Sequence, residues 1–211
     1  MGTPKDSEKT REKLIDAAGQ LFAEKGFKSV TVREIAKTAQ THLSALNYHF
    51  RTKEALYREV LMAACRSDAI TAKDQQLLLK LDPKKALFIL VKESLKGYMG
   101  QGANNWRIIV LTRECRNPGQ VFDEVVQAYF APETNFIARI IGNAVKKPGD
   151  DHQVRFAVLS MIGLVETFGL YGHLMDAIAP GLTDHVQKKD RLVRQIVHLV
   201  LEAANPTTDK F

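Results

Sequence analysis

Residues Thr31–Lys53, TVREIAKTAQTHLSALNYHFRTK, decide how this chain is read. Val32, Ile35, Ala36 and Ala39 recur on one helical face, and Leu43 and Leu46 supply the apolar side of a second short helix about one turn further on. Helices this short are unstable alone, because nucleation costs more than a few hydrogen bonds return. A third helix must therefore stand behind them. With that support in place, the polar residues Thr41, His42, Ser44, Asn47, Tyr48 and His49 are left facing outward.

The supporting helix precedes the pair. Ser7 is positioned to cap it with Glu8 in its first turn, Leu14, Ala18, Leu21 and Phe22 fall at helical spacing, and Lys25-Gly26 ends it with a cation and a left-handed terminator. Phe27 and Val30 follow as apolar plugs for the small core. Thr31 with Glu34 three residues on forms a capping-box pattern, which fixes the start of the next helix. A second short helix is expected over His42 to His49, with a turn at Phe50-Arg51-Thr52. Thr52 then caps a long fourth helix carrying Leu56, Val60, Leu61 and Ala64 as its apolar stripe. Lys53 opens that helix, where free N–H groups and the helix dipole favour an anion.

Charge distribution adds to the pattern. The 211 residues carry a net charge of +6, of which +4 falls within residues 1–53. A basic excess beside a helix-turn-helix pattern favours nucleic acid, against the plainer reading of a solvated helical surface. With 45% hydrophobic and 26% charged residues, the chain can bury a substantial core. It has no unbroken apolar run of about 18 residues and a polar, charged N-terminus, so a cytoplasmic protein without a membrane segment is expected. Cys65 and Cys115 are far apart, with no neighbouring metal-ligand spacing, so neither a zinc site nor a disulfide framework is expected; no other metal and no cofactor is expected either.

Beyond Asp82-Pro83 the chain reads as long apolar helices separated by Pro and Gly. One is expected from Pro83 to Tyr98, ended by the glycines of 97–102. Asn104 or Asn105 caps the next, which stops at Asn117-Pro118-Gly119, and a longer one follows with a kink at Pro132. From Val154 to Tyr171 the sequence is apolar nearly all round, and Ala179-Pro180-Gly181 closes that region. Thr183 or Asp184 caps a final helix with a broad apolar face through Leu192, Val193, Ile196, Val197 and Val200. Two such helices either serve the monomer core alone or invite a second copy of the chain.

The ordered signals Phe22…Gly26-Phe27, Thr31-Val32-Arg33-Glu34-Ile35-Ala36, Asn47-Tyr48-His49-Phe50 and Lys53-Glu54-Ala55-Leu56 resemble the TetR family of bacterial transcriptional regulators. Arg113-Glu114 with Asn117-Pro118 is similar to a subfamily with a CecR-type C-terminal domain. The resemblance implies an all-α fold of about nine helices: a helix-turn-helix DNA-binding domain at 1–53 and a helical regulatory and dimerisation domain at 54–211. It also implies a homodimer joined through the last two helices, a palindromic double-stranded DNA operator, and release of repression by a small-molecule effector. At two positions the chain departs from the family pattern, with Gln40 where Gly is usual and His42 where Ser or Asn is usual.

On that reading His42 and Ser44 reach the groove, Asn47 lies on the same outward face, and Tyr48 and His49 meet the backbone or a thymine methyl. Thr31, Arg33, Thr41 and Lys53 are suited to phosphates, which position the protein without specifying sequence. Tyr48 could instead close the small core, and His49 could cap the turn. Trp106, Arg113, Tyr129, Phe168 and Tyr171 are candidates for an effector pocket, because large or charged groups among apolar helices need a reason. The alternative for each is packing, with Arg113 paired to Glu114 or Asp123.

An enzyme is not expected. The sequence has no Glu-x-x-His pair, no phosphate-binding Gly-rich loop ending in Lys-Ser/Thr and no Gly-x-Ser-x-Gly elbow. A DNA-binding regulator controlled by a protein partner instead of a small molecule fits the same residues.

Overall fold

A computed structural model describes residues 4–101, 105–181 and 190–206. These form helices without any β-strand among the described residues. Among the described residues there are twelve α-helical segments and one π-helical turn, more than the nine expected, because one long segment is split around the π turn and two short helices, Ala72–Leu78 and Gly172–Ile178, are added. The chain divides into two compact units, one of residues 1–69 with 104–129, the other of residues 70–103 with 130–211.

The first unit contains α1 (Pro4–Lys25), α2 (Val32–Thr38), α3 (Leu43–Phe50), α4 (Lys53–Asp68), α7 (Trp106–Arg116) and α8 (Phe122–Val125). Helix α1 begins at Pro4, so Ser7 lies inside it and does not cap it. Its end is as read: Gly26 has φ +78° and its N–H bonds to Phe22 O at 2.9 Å. Thr31 accepts from Glu34 N and Thr52 from Ala55 N, so both expected caps are in place.

This unit does not stop at residue 53. Leu46 and Phe50 of α3 are buried together with Leu14, Leu21 and Phe22 of α1, but so are Leu56, Val60, Leu61 and Ala64 of α4 and Trp106 and Val110 of α7. Three short helices bury too little apolar surface to close a core, so α4 and α7 complete it. Helix α7 packs on both α1 and α4. Trp106 lies flat against Gly19, and its Nε1 donates to Asp16 of α1 at 2.9 Å.

The second unit contains α5 (Ala72–Leu78), α6 (Pro83–Gln101), α9 (Ala131–Val145), α10 (His152–Leu170), α11 (Gly172–Ile178) and α12 (Arg191–Ala204). Helix α5, capped by Thr71, is not anticipated by the sequence reading. Helix α6 continues through Gly97 to Gln101, three residues past its expected end. Packing overrides the glycine penalty there: Tyr98, the next residue, packs on the unit's core and lies against Gly169 of α10. Between α8 and α9 the helix widens into a π turn at Val126–Phe130, just before Pro132. A proline ring clashes with the carbonyl four residues back and offers no N–H, and the π turn relieves both.

Helix α10 has the length and apolarity of a membrane span, with a mean hydropathy of 1.3, and one of its faces lies in this core. Val154, Ala157, Val158, Met161 and Val165 are buried, and α10 packs on α6, α9 and α12. It stops at Leu170, and the short α11 follows. The expected caps of the last helix, Thr183 and Asp184, lie outside the described residues. Helix α12 spends its apolar face inside the unit, with Leu192, Val193, Ile196, Val200 and Ala204 all buried.

Candidate nucleic-acid interface

Helix α3 is sorted by its own periodicity. Leu46 and Phe50 point into the core, while His42, Ser44, Asn47 and Tyr48 are exposed. Tyr48 is 78% exposed, which removes the reading in which it closes the core; Phe50, at 4%, does that instead. The Tyr48 and His49 rings meet edge to face with centroids 5.2 Å apart. His49 is half-buried between Tyr48 and Phe50. Arg33 on α2 and Thr31 before it are exposed as well.

The turn between α2 and α3 is held by its backbone. Thr41 N donates to Ala36 O at 2.9 Å, and Gln40 stands at φ 54°. The position usually held by glycine thus needs the left-handed conformation here too, and glutamine adopts it against the steric preference of an L side chain. His42 precedes α3 in extended conformation without a side-chain cap, which leaves its imidazole at the surface. At the far end Arg51 has φ 59° and Thr52 N bonds to Phe50 O at 2.6 Å, a γ-turn that swings the chain sharply into α4.

Two of the residues expected at phosphates are engaged or buried within the unit. Lys53 does not project outward: its Nζ donates to Phe27 O and Val30 O, each at 3.0 Å, and lies 4.4 Å from the Phe27 ring centroid. The α1–α2 connection presents two orphan carbonyls at that point, and the ammonium satisfies them. The Thr41 hydroxyl oxygen is buried and has no hydrogen-bond partner among the described residues, so it is turned away from solvent. Elsewhere on this surface Lys25 and Glu34 pair at 2.5 Å, which raises the lysine pKa and lowers that of the glutamate.

The five pocket candidates are divided between the two units. Trp106 packs on α1, Arg113 is at the end of α7 with its guanidinium 3.4 Å from Glu24 O, and Tyr129 is in the π turn; all three belong to the first unit. Phe168 packs on the core of the second unit, and Tyr171 is 56% exposed there. Arg113 is bonded neither to Glu114 nor to Asp123 but to a backbone carbonyl.

A cleft that the sequence reading did not find lies within the first unit, walled by Phe22, Phe27, Tyr57, Val110 and the segment Arg113–Val121. Glu114, only 4% exposed, accepts from Tyr57 Oη at 2.8 Å and from Gly119 N at 2.8 Å. Burial, together with this bond, pushes the Tyr57 phenol well above its usual range, so it stays a donor. The available sequence signal was Glu114 itself, an acid at an inward-facing position of an apolar helix.

A helix-turn-helix whose second helix exposes polar and aromatic side chains, on an all-helical fold, defines a DNA-binding transcriptional regulator. Residues 14–60 match the description of bacterial regulatory proteins of the tetR family, and residues 83–204 match the C-terminal domain of the HTH-type transcriptional dual regulator CecR. The chain belongs to the TetR family, with a CecR-type C-terminal domain.

The N-terminal part is 39% identical over 59 residues to the transcriptional repressor KstR2 of Mycolicibacterium smegmatis, covering 28% of this chain and 29% of that one. It is 37% identical over 51 residues to the regulator QacR of Staphylococcus aureus, covering 24% of this chain and 27% of QacR. The chain thus spans under a third of the length of the curated relatives it matches. Over most of its length the fold is that of HlyIIR, a hemolysin II transcriptional regulator, with a TM-score of 0.63, 21% identity and 92% and 97% of the two chains covered. The same holds for NalD of Pseudomonas aeruginosa, at TM-score 0.56, 19% identity and 93% and 97% coverage.

Proposed function

We propose that the protein is a homodimeric repressor that binds a palindromic operator and leaves it when a small molecule binds. The observation that carries the reading is the sorting of α3, with Tyr48 78% exposed beside exposed Ser44 and Asn47 while Leu46 and Phe50 are buried. An exposed tyrosine on a helix this short has no packing role, and its ring is placed to meet a groove wall or a thymine methyl. Arg33 and Thr31 supply contacts to the flanking phosphates.

Dimerisation is supported by the outer face of α10. Phe156 and Leu159 are 58% and 65% exposed, and with His152 and Gly163 they form one outward stripe. Leu199 on α12 is 54% exposed. Burying this face against a second copy removes apolar surface from water and presents two copies of α3 to half-sites about 34 Å apart or a multiple of that.

Selection of bound DNA from a random pool tests the reading, and a palindrome with fixed half-site spacing is expected. On the selected site Tyr48→Ala lowers affinity at least tenfold in gel-shift titration and leaves the melting temperature within 2 °C of the parent, as its exposure requires. Unselective enrichment, or unchanged affinity of the variant, overturns the assignment.

A further inference from the structure

We propose that the cleft in the first unit is the binding site for an organic anion with an apolar body, such as an aromatic carboxylate or sulfonate. The proposal deepens the reading above, and rests on it only for the consequence that occupancy weakens DNA binding. The cleft measures ≈ 880 Å³, within the roughly 300–1,000 Å³ typical of small-molecule sites.

Its inner wall is aromatic. Phe22, Phe27 and Tyr57 pack on one another, with Phe22–Tyr57 centroids 5.2 Å apart at 88° and Phe27–Tyr57 centroids 4.8 Å apart. An apolar ring system inserted there meets ring faces and edges without displacing a polar group.

The rim decides the sign of the charge. Lys25, Lys28, Arg113 and Arg116 line it, against Glu54 and Glu114. Lys25 is held by Glu34, and the two oxygens of Glu114 are occupied by Tyr57 and the Gly119 N–H, which turns that carboxylate into the wall. Lys28, Arg113 and Arg116 are left exposed at the mouth with Glu54 as their counter-charge. Arg113 gives one guanidinium nitrogen to Glu24 O at 3.4 Å, and its fork keeps further donors for a planar oxyanion. Apolar depth behind a cationic rim is complementary to an amphipathic anion. The Arg113-Glu114 and Asn117-Pro118 residues singled out in the sequence all fall on this wall, which gives that motif a place in the molecule.

Phe27 connects the cleft to the reading head. Its ring lines the cleft, while its carbonyl accepts from Lys53, the first residue of α4 and three residues past the end of α3. An occupant that displaces Phe27 loosens the clamp that sets how α3 enters α4, and it acts through its unequal affinity for the two positions.

The probe for the test is 8-anilinonaphthalene-1-sulfonate, titrated into the full chain without DNA and followed by energy transfer from Trp106, the single tryptophan, which stands on the same helix as Arg113. One site per chain is expected, and the neutral probe N-phenyl-1-naphthylamine binds at least tenfold more weakly. The double variant Arg113→Met with Arg116→Met, both exposed side chains, lowers sulfonate affinity at least tenfold while still unfolding in one cooperative transition, and Val121→Phe blocks both probes. Equal sulfonate affinity in parent, double variant and Val121→Phe places the dye elsewhere, the outer face of α10 included, and overturns the proposal. Gel shifts on the selected operator separate the two readings. Operator binding with an unoccupied cleft sinks only the cleft, and cleft occupancy with no operator binding sinks only the repressor.

Discussion

Lys53 shows how far a single residue can be read from spacing alone. Its position at the start of α4 was legible, and so was the affinity of that place for an oxyanion, but the sequence does not reveal which oxygen lies nearest. The two backbone carbonyls of Phe27 and Val30 hold the ammonium at 3.0 Å each. Lys53→Met is therefore expected to cost about 2 kcal/mol of stability, the scale of hydrogen bonds to a charged group, measured by urea unfolding. The salt dependence of operator binding stays the same, whereas loss of a phosphate contact reduces the slope by about one unit. A slope reduced by one with unchanged stability returns Lys53 to the DNA. At Gln40 the departure from glycine was visible, but only the structure shows that φ 54° is required there. Gln40→Gly should stabilise the chain by about 1 kcal/mol, because relief of left-handed strain exceeds the added freedom of the unfolded glycine. A differential scanning measurement showing a lower melting temperature contradicts it.

Among elements, helix starts were the most legible feature. Thr31, Thr52 and Asn105 each accept from a backbone N–H in the following turn, and Asp82 before Pro83 does the same for Lys85. Caps are local chemistry and survive the absence of tertiary information. Helix ends governed by packing were not legible: α6 runs through Gly97, and the short helices α5 and α11 carry too few residues for a period to emerge. Trp106 fits two readings from sequence, a pocket wall or packing, and its contacts are with α1, where Gly19 lets the ring lie against the backbone and Asp16 satisfies its N–H. A Cβ at residue 19 would stand 2.4 Å from the indole. Gly19→Ala is accordingly expected to destabilise the first unit by about 2 kcal/mol, the range of overpacked cores, despite the better helix propensity of alanine. A neutral or stabilising result in thermal unfolding shows that the ring moves aside, and with it α7.

For the molecule as a whole, the expectation that both C-terminal helices offer an apolar face to a partner needs dividing. Helix α12 has a broad apolar face, but Leu192, Val193, Ile196 and Val200 are spent within the second unit. Helix α10 is different because it is apolar on more sides than one unit can cover: its inner face is buried, while Phe156 and Leu159 stand in solvent. Hydrophobic periodicity identified the excess, but a sequence gives no neighbours, so it did not show which helix retained it. Exposed side chains of this size are costly to leave in water and cheap to replace in a lone chain. Replacing both, Phe156→Ser with Leu159→Ser, should leave the folded chain nearly as stable as the parent and convert a dimer into a monomer in sedimentation velocity at micromolar concentration. The monomer keeps α3 intact and still binds a half-site, but loses the full palindrome by at least tenfold, since the second contact is no longer intramolecular. A double variant that sediments as the parent does places the interface on another face and leaves the α10 stripe without a partner of its own kind.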